Sequence, residues 1–199
     1  MPLGVYEKET TSWLEKHMKP DTIFYDIGAN AGYFTLLGSQ NAFRTYSFEP
    51  IPINVEVIKN HISENAITNV EVIPVALTDQ VGIVRFVVAS KNANSHLEDL
   101  DISHGFGQGI LSVEGTTVDE FTKGNSPPSL LKIDVEGAEL KVLEGARKCI
   151  SEYAPDIILS THSKKLKEDC RNFLQGLGYT VSELPGFVHE LVATHNNNS

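Results

Sequence analysis

Thr22–Phe34, TIFYDIGANAGYF, carries an apolar run through an acidic residue into a turn punctuated by glycines. Ile23 to Ile27, interrupted only by Asp26, reads as a buried parallel strand. Gly28 and Gly32 let the backbone turn tightly and come close to a ligand, and Asn30 tolerates a left-handed conformation between them. A helix is expected from about Tyr33, its free N–H groups aimed back at that ligand. The dinucleotide-binding fingerprint shares this strand, turn and helix, but it is written G-x-G-x-x-G and approaches a pyrophosphate. Here the order is Asp26, Gly28, Asn30, Gly32, and a carboxylate at the mouth of the loop repels a pyrophosphate. It suits a ligand that carries an ammonium group and hydroxyls.

Outward from this turn, strand-like runs alternate with amphipathic segments, the pattern of a doubly wound α/β sheet. An N-terminal helix is expected from Tyr6 to Met18, closed by Lys19-Pro20, and then strands at Thr22–Ile27, Arg44–Phe48 and Val70–Pro74. Helical spacing of Val57, Ile58 and Ile62 fills the segment Ile53 to Asn65. Past Leu77 the rhythm changes. Val81–Ala89 and Gln108–Val113 read as an antiparallel excursion after the third strand, with a long lid-like loop, Lys91 to Gly107, between them. Thr117–Phe121 leads into a short helix before the Pro127-Pro128 turn, followed by the strand Ser129–Asp134, one helix running through Cys149, the strand Asp156–Ser160 and the helix Lys164–Leu177, closed by Gly178. Tyr179–Leu184 and His189–Ala193 complete the sheet, and residues 194–199 are expected to fray.

The 199 residues suffice for one well-buried core, and no linker divides them, so a single domain over 1–199 is expected. A formal charge of −10 argues against a broad nucleic-acid footprint, which needs Lys and Arg. No apolar run approaches the roughly 20 residues of a membrane span, and the first residues show no signal-peptide core, so a soluble cytoplasmic chain is expected. Cys149 and Cys170 read as plain reduced thiols.

In an open α/β sheet ligands bind beyond the carboxyl ends of the strands. Asp26, Glu49-Pro50, Asp134-Val135-Glu136 and Ser160-Thr161-His162 all fall at that edge. Glu49 follows Asp26 by close to the interval at which an acid meets a ribose, and its carboxylate can accept from two neighbouring hydroxyls. Asp134 and Glu136 share one side if strand geometry continues, where they could bind a metal, hold a substrate hydroxyl or share a proton. Glu139 reads as a helix-start cap. His162 is the best general-base candidate, because imidazole titrates near neutrality. His96 and His104 lie in the expected lid and read as solvated.

DIGANAGYF, SFEP, VIPVALTD with a following Gly82, TTVDEF and LLKIDVEGAELKVLEGA together resemble the FkbM family of S-adenosylmethionine-dependent methyltransferases, over about Thr22 to His162. The glycine motif alone indicates only a class I methyltransferase, whereas KIDVEGAE with ALTD and TVDEF is far more specific. The resemblance implies a three-layer Rossmann-like fold with a seven-stranded sheet, order 3-2-1-4-5-7-6, the last strand antiparallel. It also implies O-methylation of a sugar or natural-product hydroxyl, and with no apolar run long enough for a span no membrane partner is expected. Asp26, Gly28, Asn30 and Gly32, with Tyr33 and Phe34 behind them, would hold the methionine moiety of S-adenosylmethionine. Glu49 and Pro50 would meet the ribose, Val75 and Ala76 would lie beside the adenine, and Asp134 completes the cofactor set. Similar proteins often carry Glu-x-His after the fifth strand, and Ser160 stands here in the place of that acid. Catalysis is expected from His162, Asp134 and Glu136. A divalent cation on the two acids is disfavoured, because the sequence shows no evident third ligand. The rival readings are a nicotinamide-dependent oxidoreductase, disfavoured by Asp26 and the missing G-x-G-x-x-G, and a methyltransferase-like binding domain without catalysis.

Overall fold

A computed structural model describes residues 7–88, 109–186 and 189–195. The expected lid, Lys91 to Gly107 with His96 and His104, lies outside the described residues. In chain order the elements are α1 (Lys8–His17), β1 (Ile23–Ile27), α2 (Tyr33–Asn41), β2 (Arg44–Phe48), α3 (Pro52–Glu64), β3 (Val70–Ile73), β4 (Ala76–Leu77) and β5 (Gly82–Val88). They continue with β6 (Gly109–Thr116), α4 (Val118–Phe121), β7 (Leu130–Ile133), α5 (Glu139–Gly145), α6 (Arg147–Tyr153), β8 (Asp156–Ser160), α7 (Lys164–Gly176), β9 (Tyr179–Glu183) and β10 (Glu190–His195).

Seven strands form one sheet in the order β3-β2-β1-β7-β8-β10-β9, which is 3-2-1-4-5-7-6 when the seven are counted along the chain. Pairing is parallel from β3 to β8, and β10 runs antiparallel to both β8 and β9. A class I Rossmann-like fold is the result. The excursion after β3 is a separate small sheet, β4-β6-β5, in which β5 and β6 pair antiparallel from Gly82↔Gly115 to Val88↔Gly109.

Strand alternation sends successive side chains to opposite faces, and the core divides accordingly. Phe24, Leu130 and Ile158 lie in one apolar cluster with Leu14 of α1 and Phe34 and Leu37 of α2. Tyr25, Leu131, Ile157 and Leu159 lie in the other, with Val118, Val142, Leu143, Ile150 and Leu174 of α4 to α7. Each such fully buried side chain contributes about 1.5–3 kcal/mol by leaving water. Cys149 and Cys170 are buried free thiols in the second cluster, both pushed by burial to about 12.

Two expectations change. The helix through Cys149 breaks at Ala146 into α5 and α6, which share that residue as their cap. Gly145 packs so closely that an added Cβ would come 2.0 Å from the Thr78 carbonyl oxygen. A second helix start exposes new N–H donors, and Asp119 takes two of them, from Lys148 at 3.1 Å and Cys149 at 2.8 Å. At the far end, β10 continues through Thr194 and His195, paired with Thr180 and Tyr179, where fraying was expected.

Candidate active site

The glycine turn connects β1 to α2 and is held by its neighbours. Gly28 and Ala29 donate their N–H groups to the Phe48 carbonyl at the end of β2, at 3.0 and 3.1 Å. Left-handed backbone occurs at Gly28 (φ 80°), Asn30 (φ 50°) and Gly32 (φ 89°). A Cβ on Gly28 would lie 1.8 Å from the Asp134 carbonyl oxygen, and one on Gly32 2.9 Å from Ile58. The glycines are therefore demanded by the fold itself, in addition to any ligand.

Asp26 differs from the expectation of a carboxylate at the loop mouth. As the penultimate residue of β1 it faces the layer under α2 and is completely buried. Its Oδ2 accepts from the Thr35 hydroxyl at 2.7 Å, and Thr35 in turn shares a 2.8 Å bond with Ser47. The Lys132 ammonium, itself buried, lies 3.6 Å from Asp26 Oδ1 and 3.7 Å from Asp134 Oδ2, over the Phe34 ring at 4.8 Å. Burial raises the Asp26 pKa, opposed by Lys132 and the Thr35 hydroxyl. Oδ1 makes no hydrogen bond among the described residues.

Glu49 is also buried, 4% exposed, and both its oxygens are in use. Oε2 accepts from the Asn30 N–H at 2.8 Å, while Oε1 accepts from the Ile51 N–H at 2.9 Å and the Asn54 amide at 3.2 Å. Burial raises its pKa against the pull of these three donors. The carboxylate thus ties the glycine turn to the start of α3. Beyond it, Pro50, Pro52, Val55, Pro74, Val113 and Glu114 line an open cleft of about 600 Å³. Val75 packs partly buried against the core and Ala76 is buried in β4; Tyr33 and Phe34 pack into the α1/α2 cluster.

At the ends of β7 and β8 the sequence-named catalytic trio does converge. His162 Nε2 lies 3.2 Å from Glu136 Oε2 and 3.7 Å from Asp134 Oδ1, and one donor atom of each residue falls within 4.8 Å of the others. Two carboxylates and an imidazole can share a divalent cation; a proton on the imidazole satisfies the same geometry. Glu136 is 86% exposed and adopts a left-handed φ of 53°, whereas Asp134 and His162 are partly covered. Behind the ring, His162 Nδ1 meets Glu139 Oε1 at 2.8 Å, and the same oxygen accepts from the Gly137 N–H at 2.9 Å. Glu139 is wholly buried. Expected as a helix-start cap, it lies in the first turn of α5 but makes no capping bond to that helix; it binds the Gly137 N–H before it and grips the histidine. Burial alone would lower the His162 pKa, but the Glu139 hydrogen bond and the charges of Glu139, Glu136 and Asp134 outweigh it and raise the value.

Three residues at this edge were not singled out from sequence. Lys132 interrupts the apolar run of a central strand, LLKI, and a charge in such a place requires a partner. Thr35 is the hydroxyl that answers Asp26. Glu190, at the start of β10 and opposite Ser160 in register, accepts from the Ser160 hydroxyl at 3.0 Å. A carboxylate thus reaches the Ser160 corner from a different strand. Burial raises its pKa, with the neighbouring Asp134 charge adding to the rise and Lys132 opposing it.

With this geometry in view, the likeness to known proteins is informative. The model of the methyltransferase FkbM domain matches residues 26–181. Hexuronic acid methyltransferase AglP of Haloferax volcanii is 27% identical over 142 residues, covering 70% of this chain and 56% of that protein. Ribosomal protein L11 methyltransferase of Clostridium perfringens is 34% identical over 96 residues, 45% of this chain and 31% of its own length. Among solved structures, methyltransferase FkbM from Methylobacillus flagellatus superposes with a TM-score of 0.64 at 17% identity, over 93% of this chain and 50% of that one. SMU.1697c of Streptococcus mutans, solved in complex with SAH, gives 0.58 at 12% identity, over 93% and 95%. The chain therefore spans about half the length of AglP and of the FkbM structure. The matched segment runs from Asp26 past His162 into β9, so Asp26, Glu49, Asp134, Glu136, Glu139 and His162 fall inside it, and the chain belongs to the FkbM methyltransferase family.

Proposed function

We propose that the protein transfers a methyl group from S-adenosylmethionine to a hydroxyl of a small acceptor, a sugar or a related natural product. The observation that carries this reading is the convergence of His162, Asp134 and Glu136 at the strand ends, on the far side of Gly28 from the Glu49 corner. S-adenosylmethionine, when bound, would supply an electrophilic methyl on a sulfonium, whose sulfur keeps the bonding electron pair and leaves as the neutral thioether. The residues present fit such a ligand. Glu49 makes three hydrogen bonds, which leaves lone-pair capacity for a ribose hydroxyl, because a carboxylate offers about four acceptor positions. The open cleft beside Pro50 and Pro74 has room for a base, with Val55 and Val113 among its walls. Asp26 acts on the ligand through its field, since it has no exposed surface.

For the transfer, a hydroxyl is a poor nucleophile until its proton leaves. His162 Nε2 takes that proton as the oxygen–methyl bond forms, help typically worth about 10²–10⁴-fold. Asp134 and Glu136 flank the same nitrogen, and their charge stabilises the imidazolium that forms there. Alignment does the rest of the work, because well-oriented reactants reach effective molarities of about 10⁵–10⁸ M. AglP, by its name, methylates a hexuronic acid, and this supports a sugar acceptor here. Other relatives and neighbours carry ribosomal names, but a net charge of −10 weighs against a nucleic-acid acceptor.

Calorimetry with S-adenosylmethionine against NAD, followed by transfer of labelled methyl to a panel of sugars and other hydroxyl compounds, tests the proposal. Micromolar binding of S-adenosylmethionine with acceptor-dependent transfer is expected. Binding of NAD alone would end the reading, and binding without transfer to any hydroxyl would leave a cofactor-binding domain.

A further inference from the structure

We propose that Glu139 is a positioning residue for catalysis, one that fixes the His162 imidazole in the tautomer whose free nitrogen faces the acceptor. This rests on the reading of His162 as the base. The contact spans 23 residues of sequence, from the first turn of α5 to the loop between β8 and α7, and measures 2.8 Å. An ionised carboxylate can only accept a hydrogen bond. Nδ1 must therefore carry a proton in the neutral ring, which leaves the lone pair on Nε2, the nitrogen 3.2 Å from Glu136 and 3.7 Å from Asp134. In free histidine the opposite tautomer, with the proton on Nε2, predominates, so the protein must impose this one. An imidazole held on one nitrogen by a buried acid, with the other turned to the proton it takes up, is the arrangement that serves nucleophilic enzymes.

Both partners are held from behind. Glu139 has no exposed surface, and its accepting oxygen is fixed a second time by the Gly137 N–H. The backbone that carries His162 is pinned on its N-terminal side by Thr161, whose N–H and hydroxyl both donate to the His189 carbonyl, at 2.9 and 2.8 Å. On its C-terminal side Ser163 caps α7 by accepting from the Leu166 N–H at 3.1 Å. The ring therefore has little freedom to choose another partner.

The test uses the full chain labelled with ¹⁵N-histidine, whose long-range ¹H–¹⁵N spectra report which ring nitrogen is protonated without any turnover. In the wild-type protein at alkaline pH His162 is expected as the Nδ1–H tautomer; the Nε2–H tautomer would overturn the proposal. Glu139→Gln keeps an acceptor oxygen, so the tautomer is expected to persist and kcat to fall by about 10-fold. Glu139→Leu removes the acceptor, so the Nε2–H form is expected to appear and kcat to fall by about 10²–10³-fold, with KM within about 3-fold of wild type. A persistent Nδ1–H tautomer in Glu139→Leu, equal losses in the two variants, or a loss in KM alone would each overturn it. Should Glu139→Leu fail to fold, the wild-type spectrum and Glu139→Gln still decide. A chain that shows the Nδ1–H tautomer and transfers no methyl would sink the methyltransferase reading while leaving the Glu139–His162 arrangement standing.

Discussion

The two ends of the candidate site are built on opposite plans. Around the glycine turn every charge is answered from within: Asp26 by Thr35 and Lys132, Glu49 by Asn30, Ile51 and Asn54, and the turn itself by Phe48. Around His162 the answer comes from one side only. Glu139 grips the ring from the interior, while Asp134 and Glu136 crowd the outer nitrogen with charge that solvent or an acceptor must meet. The first plan suits a binding corner whose shape is fixed before the ligand arrives. The second suits chemistry, which needs a group whose protonation can change.

Substitutions should separate the two plans. The largest effect is expected at the glycine turn, where Gly28→Ala would place a Cβ 1.8 Å from the Asp134 carbonyl oxygen on a left-handed backbone. A loss of at least about 4 kcal/mol of stability follows from such overlap, and a urea midpoint close to wild type would show that the corner is not rigid. Next comes Lys132→Met, which strips the buried Asp26 of its ammonium. Breaking a buried pair costs about 3–5 kcal/mol, to be read from thermal or denaturant unfolding; an unchanged protein would mean that Asp26 is neutral in the native state.

His162→Ala addresses the other plan. It should lower kcat about 10²–10⁴-fold and leave S-adenosylmethionine affinity within about 2-fold, and undiminished turnover would remove His162 as the base. In the wild type, turnover should rise with pH through a midpoint above the ordinary imidazole value of 6.5, because the base must be neutral and its pKa is raised. Stability has the opposite sign. A raised histidine contributes stability that is full below the unfolded value and lost as pH rises through the folded one. The stability gap between wild type and His162→Ala should therefore shrink from acid toward alkaline pH. The smallest effect is expected from a chelator, with EDTA leaving turnover unchanged; a loss restored by a divalent cation would place a metal among Asp134, Glu136 and His162.

Much of this was legible in the chain. Short apolar runs such as Leu130-Leu131 and Ile157-Ile158-Leu159 show their strands because a sheet covered on both faces needs hydrophobicity on both. The strand ends then bring Asp134, Glu136 and His162 to one edge, since topology alone places them there. What was hidden depends on partners distant in sequence. Glu139 looks like a helix-start acid until the loop after β8 brings His162 against it, and Glu190 looks solvated until β10 lies along Ser160, 30 residues earlier. Asp26 was placed at the mouth of the turn because it stands at the strand's end, two residues before Gly28; strand alternation turns it inward. The break at Ala146 depends on Thr78 and Asp119, which no local pattern in LKVLEGARKC reveals.

The position of β10 has a consequence for how the molecule is made. This strand enters between β8 and β9, both of which precede it, so the sheet stays split until residues 190–195 have left the ribosome. Until then β8 and β9 present open edges. The loop carrying His162 also waits, because Thr161 is tied to the carbonyl of His189, just before that strand. During synthesis the glycine turn, with β1, β2, α2 and α3 already emerged, can settle early, while the histidine corner closes last. A nascent chain should therefore order the glycine turn before the His162 corner.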